Sequence, residues 1–209
     1  YKGKYEGHYC IACEFFYPIK DLEEGMKCPI HKREAQFVSE ETYFFKLSKY
    51  QKKLLAFYNQ NPDFIQPASR KKEVTNRVEA GLKDLSITRT TFSWGISFPY
   101  DSDHLIWVWF DALPNYLSGA GKNQEYWPAD VHLVGKDILW FHTVIWPAML
   151  LSAGYKLPKK VFAHGWLTAK GSKISKSNGT ATDLDSLIKL TSVDSVRYFL
   201  FRQFPFGED

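Results

Sequence analysis

Two rhythms of apolar residues run along the chain. Phe44, Leu47, Tyr50, Leu54 and Phe57 recur at three- and four-residue steps, with Pro62 just beyond. That is the period of a buried helix face, and it predicts a helix over 41–59. A second, more polar helix is predicted over 69–80, stopped by Gly81. Short β-prone pieces precede them at Gly7-His8-Tyr9 and Gln36-Phe37-Val38, a strand is predicted over 85–88, and 94–99 reads as a loop. From Leu105 the rhythm changes to an apolar strand followed by a helix, with strands at 105–110, 131–134 and 161–163. Continuous apolar strands alternating with helices predict a parallel sheet covered on both faces. A helix is predicted to start at Thr182-Asp183-Leu184-Asp185, capped by the Thr182 hydroxyl with carboxylates in its first turn. A last helix over 192–204 takes Ser192 as its N-cap.

Composition narrows the class. The chain has 209 residues, 44% hydrophobic and 24% charged. It can bury a core and is not disordered, with room for one or two domains. The net charge of +4 is spread out, apart from short groups such as Lys52-Lys53 and Arg70-Lys71-Lys72. This is compatible with a polyanionic partner without demanding one. No apolar run is long enough to span a bilayer and no signal peptide is visible, so no membrane partner is expected. The sequence opens at Tyr1 without an initiator Met and closes just after a helical pattern, so a piece of a longer protein is expected.

The cysteines suggest a metal. Cys10-x-x-Cys13 and Cys28-x-x-His31 are two paired knuckles with fourteen residues between them, and they contain every cysteine of the chain. Three thiolates and one imidazole would close a tetrahedron around Zn²⁺, a structural site because no coordination position stays open. Thiolate ligation implies a reducing compartment and a cytoplasmic protein. A disulfide would leave one cysteine over and give His31 no role; reduced, buried thiols are the plainer alternative.

Candidate chemistry lies at the predicted strand ends. Lys173-Ile174-Ser175-Lys176-Ser177 sits between Gly171 and Gly179, downstream of the strand that runs into His164-Gly165-Trp166-Leu167. Two ammonium groups, hydroxyl donors and permissive glycines suit a polyphosphate, while a solvated surface loop is the bland alternative. Trp107, Trp109, Phe110, Tyr116, Trp140, Phe141 and Trp146 crowd the preceding region, with His142 among them. Most of these rings suit a core. Trp109, however, is read as the end of a strand that leads into Asp111-Ala112-Leu113-Pro114-Asn115-Tyr116, where open parallel sheets border their ligand crevice. Asp137 follows Val134-Gly135 at another strand end, placed either to cap a helix or to hold a substrate amine. His142 and Trp146 share one helical face, and a pocket of such rings suits a flexible thioether.

Taken in order, Val108-Trp109-Phe110-Asp111-Ala112, His132-Leu133-Val134-Gly135-Lys136-Asp137-Ile138, the Lys173–Ser177 loop and the Cys/His knuckles resemble the methionyl-tRNA synthetase family of class I aminoacyl-tRNA synthetases. The likeness covers nearly the whole chain. The loop is similar to the family's Lys-Met-Ser-Lys-Ser signature, with Ile174 in the Met position. Leu113 stands where many relatives have Pro. The family's first signature, His-x-Gly-His, is absent. The resemblance therefore implies an α/β fold: the C-terminal half of a Rossmann-type parallel sheet with an inserted zinc-knuckle domain. The knuckle would occupy 1–40, a helical remainder of the insertion 41–84, the second catalytic half with its lysine loop 85–180, and 181–209 would lead toward an anticodon-binding domain. The N-terminal half and that domain would lie elsewhere in the protein.

What the resemblance implies chemically is ATP-dependent attachment of methionine to its tRNA through methionyl-adenylate, with Mg²⁺ accompanying ATP. Lys173 and Lys176 would be catalytic. Gly135, Asp137, His164, Gly165, Leu167, Lys173, Ser175 and Lys176 would meet ATP. Trp109, Ala112, Leu113, Tyr116, Asp137, Phe141, His142 and Trp146 would meet methionine, and Cys10, Cys13, Cys28 and His31 would hold zinc. Without the missing half the chain is expected to be inactive. The alternative is a non-enzymatic zinc-bearing tRNA-binding module, which would leave the aromatic pocket unexplained.

Overall fold

The computed structural model describes residues 1–12, 15–30, 32–91, 93–121, 125–166, 168–169, 172–173 and 183–203. It divides into two compact units, one of 1–47 and 83–116, the other of 48–82 and 117–209.

The first unit is antiparallel β. In Lys2–Cys10 the exposed Lys2, Lys4 and Glu6 alternate with the more covered Gly3, Tyr5 and Gly7, the period of a strand with one wet face. This strand pairs with Phe15–Tyr17 on one side and with Gln36–Phe45 on the other, and Leu85–Ser86 extends the sheet. Gly3 provides a flat spot for the Phe44 ring, since a methyl there would lie 3.1 Å from Phe44 Cε2. Tyr1 stacks on the same ring at 5.2 Å. A second sheet has the order Thr88–Arg89, Asp101–Ile106, Ser97–Phe98.

Three expectations fail in this unit. Residues 41–45 are not helical: Gln36–Phe45 is one strand, a 3₁₀ turn follows at Leu47–Tyr50, and the helix is confined to Gln51–Gln60. Thr42, Tyr43, Phe44 and Phe45 are residues that fill a pleated surface well. Pairing with Lys2–Cys10 buries Thr42 completely and overrides the helical spacing of Phe44, Leu47 and Tyr50. Nor is 105–110 a strand of a parallel sheet. The strand is Asp101–Ile106, which turns back on Ser97–Phe98 through Pro99-Tyr100, and Val108–Ala112 is a short helix. A tight hairpin can only be antiparallel; a parallel partner needs a long crossover. Ser97 and Phe98 are accordingly paired rather than loop.

The second unit contains the parallel sheet, in the order Ile65–Gln66, Val161–His164, His132–Gly135. The strands expected near 131–134 and 161–163 are present, and Ile65–Gln66 takes the third place. Between the longer two strands the chain runs through a 3₁₀ turn at Lys136–Ile138, a π turn at Phe141–Ile145 and the helix Trp146–Ala153. Helices Gln51–Gln60 and Ala68–Glu79 complete the core, which buries Leu54, Tyr58, Phe64, Val74, Val78, Val134, Val144 and Val161. The Arg77 guanidinium lies 4.0 Å over the Trp140 ring and joins the second helix to the 139–153 segment.

Near the end of the chain, Asp183 rather than Thr182 caps helix Leu184–Leu190, its Oδ2 accepting from the Ser186 amide at 3.0 Å. Thr182 itself lies outside the described residues. Ser192 caps Val193–Gln203 as expected, accepting from the Ser195 amide at 3.1 Å. Among the described residues no helix is long and apolar enough to cross a membrane.

Candidate active site

The carboxyl ends of the two longer parallel strands bring four expected residues together. Gly135 and His164 are register partners. Asp137 sits in the turn that follows Gly135 and folds its carboxylate back onto it: a methyl on Gly135 would lie 2.5 Å from Asp137 Oδ1 and 3.7 Å from His164 Cε1. His164 donates through Nδ1 to the Gly165 carbonyl at 2.8 Å, which leaves Nε2 as the ring's acceptor when neutral. Lys136 holds its ammonium 4.0 Å over the Trp166 ring, linking the two strand ends. A carboxylate, an imidazole and a bare backbone thus converge where doubly wound sheets carry ligands. Lys173 lies in a two-stranded ribbon, Ser172–Lys173 against Thr168–Ala169. Leu167, Ser175 and Lys176 lie outside the described residues.

Phe141, His142 and Trp146 stand on or beside the π turn. Such turns break the regular backbone ladder, and side-chain donors reinforce it here. His142 Nδ1 donates to the Ile138 carbonyl at 2.9 Å, Thr143 Oγ1 to that of Leu139 at 2.7 Å, and the buried Tyr58 hydroxyl to that of Thr143 at 2.6 Å. His142 packs 5.7 Å from the His132 ring, and Trp127 bridges His132 and Trp146 at 6.1 and 5.8 Å. Burial, with a smaller push from His142, lowers the His132 pKa to about 4. Burial lowers that of His142 as well, partly offset by its bond to Ile138. Both rings are neutral near pH 7. His142 and Trp146 are buried, whereas Phe141 is half-buried.

Trp109, Ala112, Leu113 and Tyr116 belong to the other unit. Trp109 was expected at a strand end; it lies instead within helix Val108–Ala112, just past strand Asp101–Ile106. It is half-buried, Leu113 is buried, and Ala112 and Tyr116 are exposed. The same segment borders a cavity of about 330 Å³ whose lining includes Trp94, Trp107, Val108, Asp111 and Arg89. Arg89 is 4% exposed. Its Nη1 donates to Ser86 Oγ at 2.8 Å and to the Thr88 carbonyl at 2.7 Å.

Of the four knuckle residues, Cys10 and Cys28 are described, and both are buried. Cys10 ends its strand. The Cys28 amide donates to the Arg33 carbonyl at 2.8 Å, and its own carbonyl accepts from the Lys32 amide at 2.9 Å. Lys32 is left-handed at φ 54°, which tightens the turn. No disulfide joins the two cysteines. Buried thiols heading tight turns fit a tetrahedral thiolate site. Cys13 and His31 lie outside the described residues, and no group of three metal-ligating side chains occurs among those described.

The family profile of tRNA synthetases class I (M) matches residues 1–209. The chain belongs to this family. It is 53% identical over 216 residues to a methionine–tRNA ligase of Caldanaerobacter subterraneus, covering 100% of the chain and 34% of that relative. A methionine–tRNA ligase of Thermotoga maritima is also 53% identical, over 219 residues, with 100% of the chain and 35% of that relative covered. Among solved structures, Mycobacterium tuberculosis methionyl-tRNA synthetase in complex with methionyl-adenylate superposes with a TM-score of 0.93 at 47% identity, covering 100% of the chain and 43% of that protein. The fold is therefore that of a class I synthetase, with α/β content. The chain spans 34–35% of the length of these two curated relatives.

Arg89 belongs to no sequence motif of this class I synthetase. It stands as a lone charge in Ser86-Ile87-Thr88-Arg89-Thr90-Thr91. The available signal was its place at the end of a β-prone stretch, where an Arg that becomes buried must be matched by acceptors and a counter-charge. Only the pairing of distant strands reveals that it does.

Proposed function

We propose that the chain forms part of an enzyme that attaches methionine to its tRNA. A methionine carboxylate oxygen attacks the α-phosphorus of ATP and pyrophosphate leaves; the tRNA 3′ hydroxyl then attacks the methionyl carbonyl and AMP leaves. The convergence of Gly135, Asp137 and His164 at adjacent parallel strand ends, in a chain of this family, is the observation that carries the reading. Positioning and electrostatics account for most of such a phosphoryl transfer.

In this reading Asp137 holds the methionine ammonium, and bare Gly135 lets the nucleotide approach the strand end. Gly165 and the Leu167 backbone line the adenosine side with His164. Lys176, with Lys173 and Ser175, steadies the departing pyrophosphate, which Mg²⁺ accompanies. The neutral His142, with Trp146 and Phe141, would meet the thioether, because an uncharged ring lets sulfur pack where a cation would demand water. Trp109, Ala112, Leu113 and Tyr116 of the first unit are proposed as methionine residues from the family motif alone. Arg89 supplies a buried guanidinium to a cavity beside the Trp109-bearing helix, suited to an anionic part of the substrate.

Cys10, Cys13, Cys28 and His31 would hold a structural Zn²⁺, which would cross-link the turns beyond strands Lys2–Cys10 and Gln36–Phe45. We read 1–40 as this knuckle, 41–84 as the rest of the insertion, 85–180 as the second catalytic half and 181–209 as the lead to an anticodon-binding domain. The His-x-Gly-His half would come from further sequence, in line with the relatives' greater length. Thiolate ligation favours the cytoplasm.

The test is methionine-dependent ATP–pyrophosphate exchange, followed by tRNA methionylation, with a full-length synthetase carrying this chain. Robust exchange whose methionine KM rises in Asp137→Ala supports the reading. Tight tRNA binding with no exchange would turn it into the rival zinc-bearing RNA-binding module.

A further inference from the structure

A second layer of residues surrounds Arg89. The Glu40 Oε1 lies 3.9 Å from Arg89 Nε, and the two side chains are 7% and 5% exposed. At that separation the two interact by charge rather than through a shared proton. The other carboxylate oxygen of Glu40 accepts from Thr90 Oγ1 at 3.4 Å. The guanidinium carbon lies 5.6 Å from the Tyr9 ring and 5.5 Å from that of Trp107.

Hydroxyl groups continue the arrangement inward. Ser86 Oγ, which accepts from Arg89, lies 2.8 Å from Thr42 Oγ1, and Thr42 Oγ1 lies 3.1 Å from Thr88 Oγ1. Thr88 Oγ1 in turn lies 3.0 Å from His104 Nδ1. Thr42, Ser86, Thr88 and His104 are all buried. A chain of hydroxyls fixed at several points keeps Ser86 in place, and with it Nη1.

We infer that Glu40 is a positioning residue: together with the Ser86–Thr42–Thr88 hydroxyl chain it fixes the Arg89 guanidinium where it lines the cavity and meets the anionic group of the substrate. The inference rests on the proposed role of that cavity. Glu40 reaches Arg89 from Gln36–Phe45, the strand that emerges from the knuckle, and Tyr9 reaches it from the residue beside Cys10. The order of the knuckle sheet is thereby transmitted to a cation some distance along the chain. A buried guanidinium without its counter-charge is costly, so losing the Glu40 charge frees Arg89 to reorient or admits water beside it.

A double-mutant cycle on a full-length synthetase carrying this chain tests the assignment, with pyrophosphate exchange as the reaction and zinc content and Tm as controls. Glu40→Gln keeps the volume and the acceptor for Thr90 but removes the charge. It is expected to lower kcat/KM for methionine about tenfold with zinc retained, and to have almost no further effect in an Arg89→Ala background. Purely additive effects, or a lower Tm with unchanged kcat/KM per folded enzyme, would mean that Glu40 only neutralises a buried charge, and would overturn the inference. Unchanged exchange in Arg89→Ala alone would remove the cavity reading itself, and the inference with it. If Glu40→Gln does not fold, Glu40→Asp enters the same cycle; a smaller loss that vanishes in the Arg89→Ala background supports the assignment, and additivity overturns it.

Discussion

The carboxylate of Asp137 packs against the α-carbon of Gly135, two residues earlier on the same strand end. No side chain fits between them, because a methyl would sit 2.5 Å from Oδ1. Gly135→Ala should therefore push Asp137 out of place without touching its charge. The Asp137 side chain is exposed, so Asp137→Ala should remove a solvent-screened partner of the methionine ammonium, costing about 1 kcal/mol of methionine binding. Both variants should raise the methionine KM in pyrophosphate exchange, the alanine at 137 more. Near-normal methionine kinetics in either would take the pair out of the amine site.

Lys176→Ala should slow adenylate formation on the order of 10²–10³-fold, comparable to deleting one preorganised donor to a developing anion. Lys173→Ala should be milder. The loss should appear in kcat rather than in methionine affinity, since the charge is needed most as pyrophosphate departs. Single-turnover kinetics with both variants separates the two effects. Equal and small losses would return the loop to a solvated surface feature.

Cys28→Ser should release zinc and loosen 1–40 while the parallel sheet of the second unit stays folded. The buried Cys28 thiol heads the Lys32–Arg33 turn, so its loss unties that turn from the strand end at Cys10. Metal analysis together with hydrogen exchange is the measurement. A variant that keeps a full zinc equivalent, or exchange that accelerates equally in both units, contradicts this assignment.

Acid should destabilise the protein through His132 and His142. Burial, and for His132 also the neighbouring His142, lowers their pKa values, to about 4 for His132. The unfolded chain, with His near 6.5, binds more protons than the native state across this window. Stability is therefore full above about pH 6.5 and falls as the pH drops toward 4. His132→Gln should flatten that fall, read as Tm between pH 7.5 and 4.5. Parallel pH slopes for variant and wild type would show that the pair does not govern it.

Local regularity made part of this protein legible from the chain alone. Helix Ala68–Glu79, strands His132–Gly135 and Val161–His164, and the Ser192 cap follow from spacing and cap chemistry among near neighbours. The family motifs were equally legible, because they are runs of specific residues. Tertiary pairing decided what spacing could not. Phe44, Leu47 and Tyr50 lie at helical intervals, yet Thr42 and Tyr43 align with Gly3 and Lys2, some forty positions earlier, and the gain from that pairing exceeds any local propensity. The same kind of pairing turned Asp101–Ile106 into a hairpin partner and moved Trp109 onto a helix. It also placed Glu40 beside Arg89, forty-nine positions apart in sequence, and set Gly135, against which Asp137 folds locally, opposite His164. Burial makes such charges and close approaches matter, and burial is set by which distant strands meet.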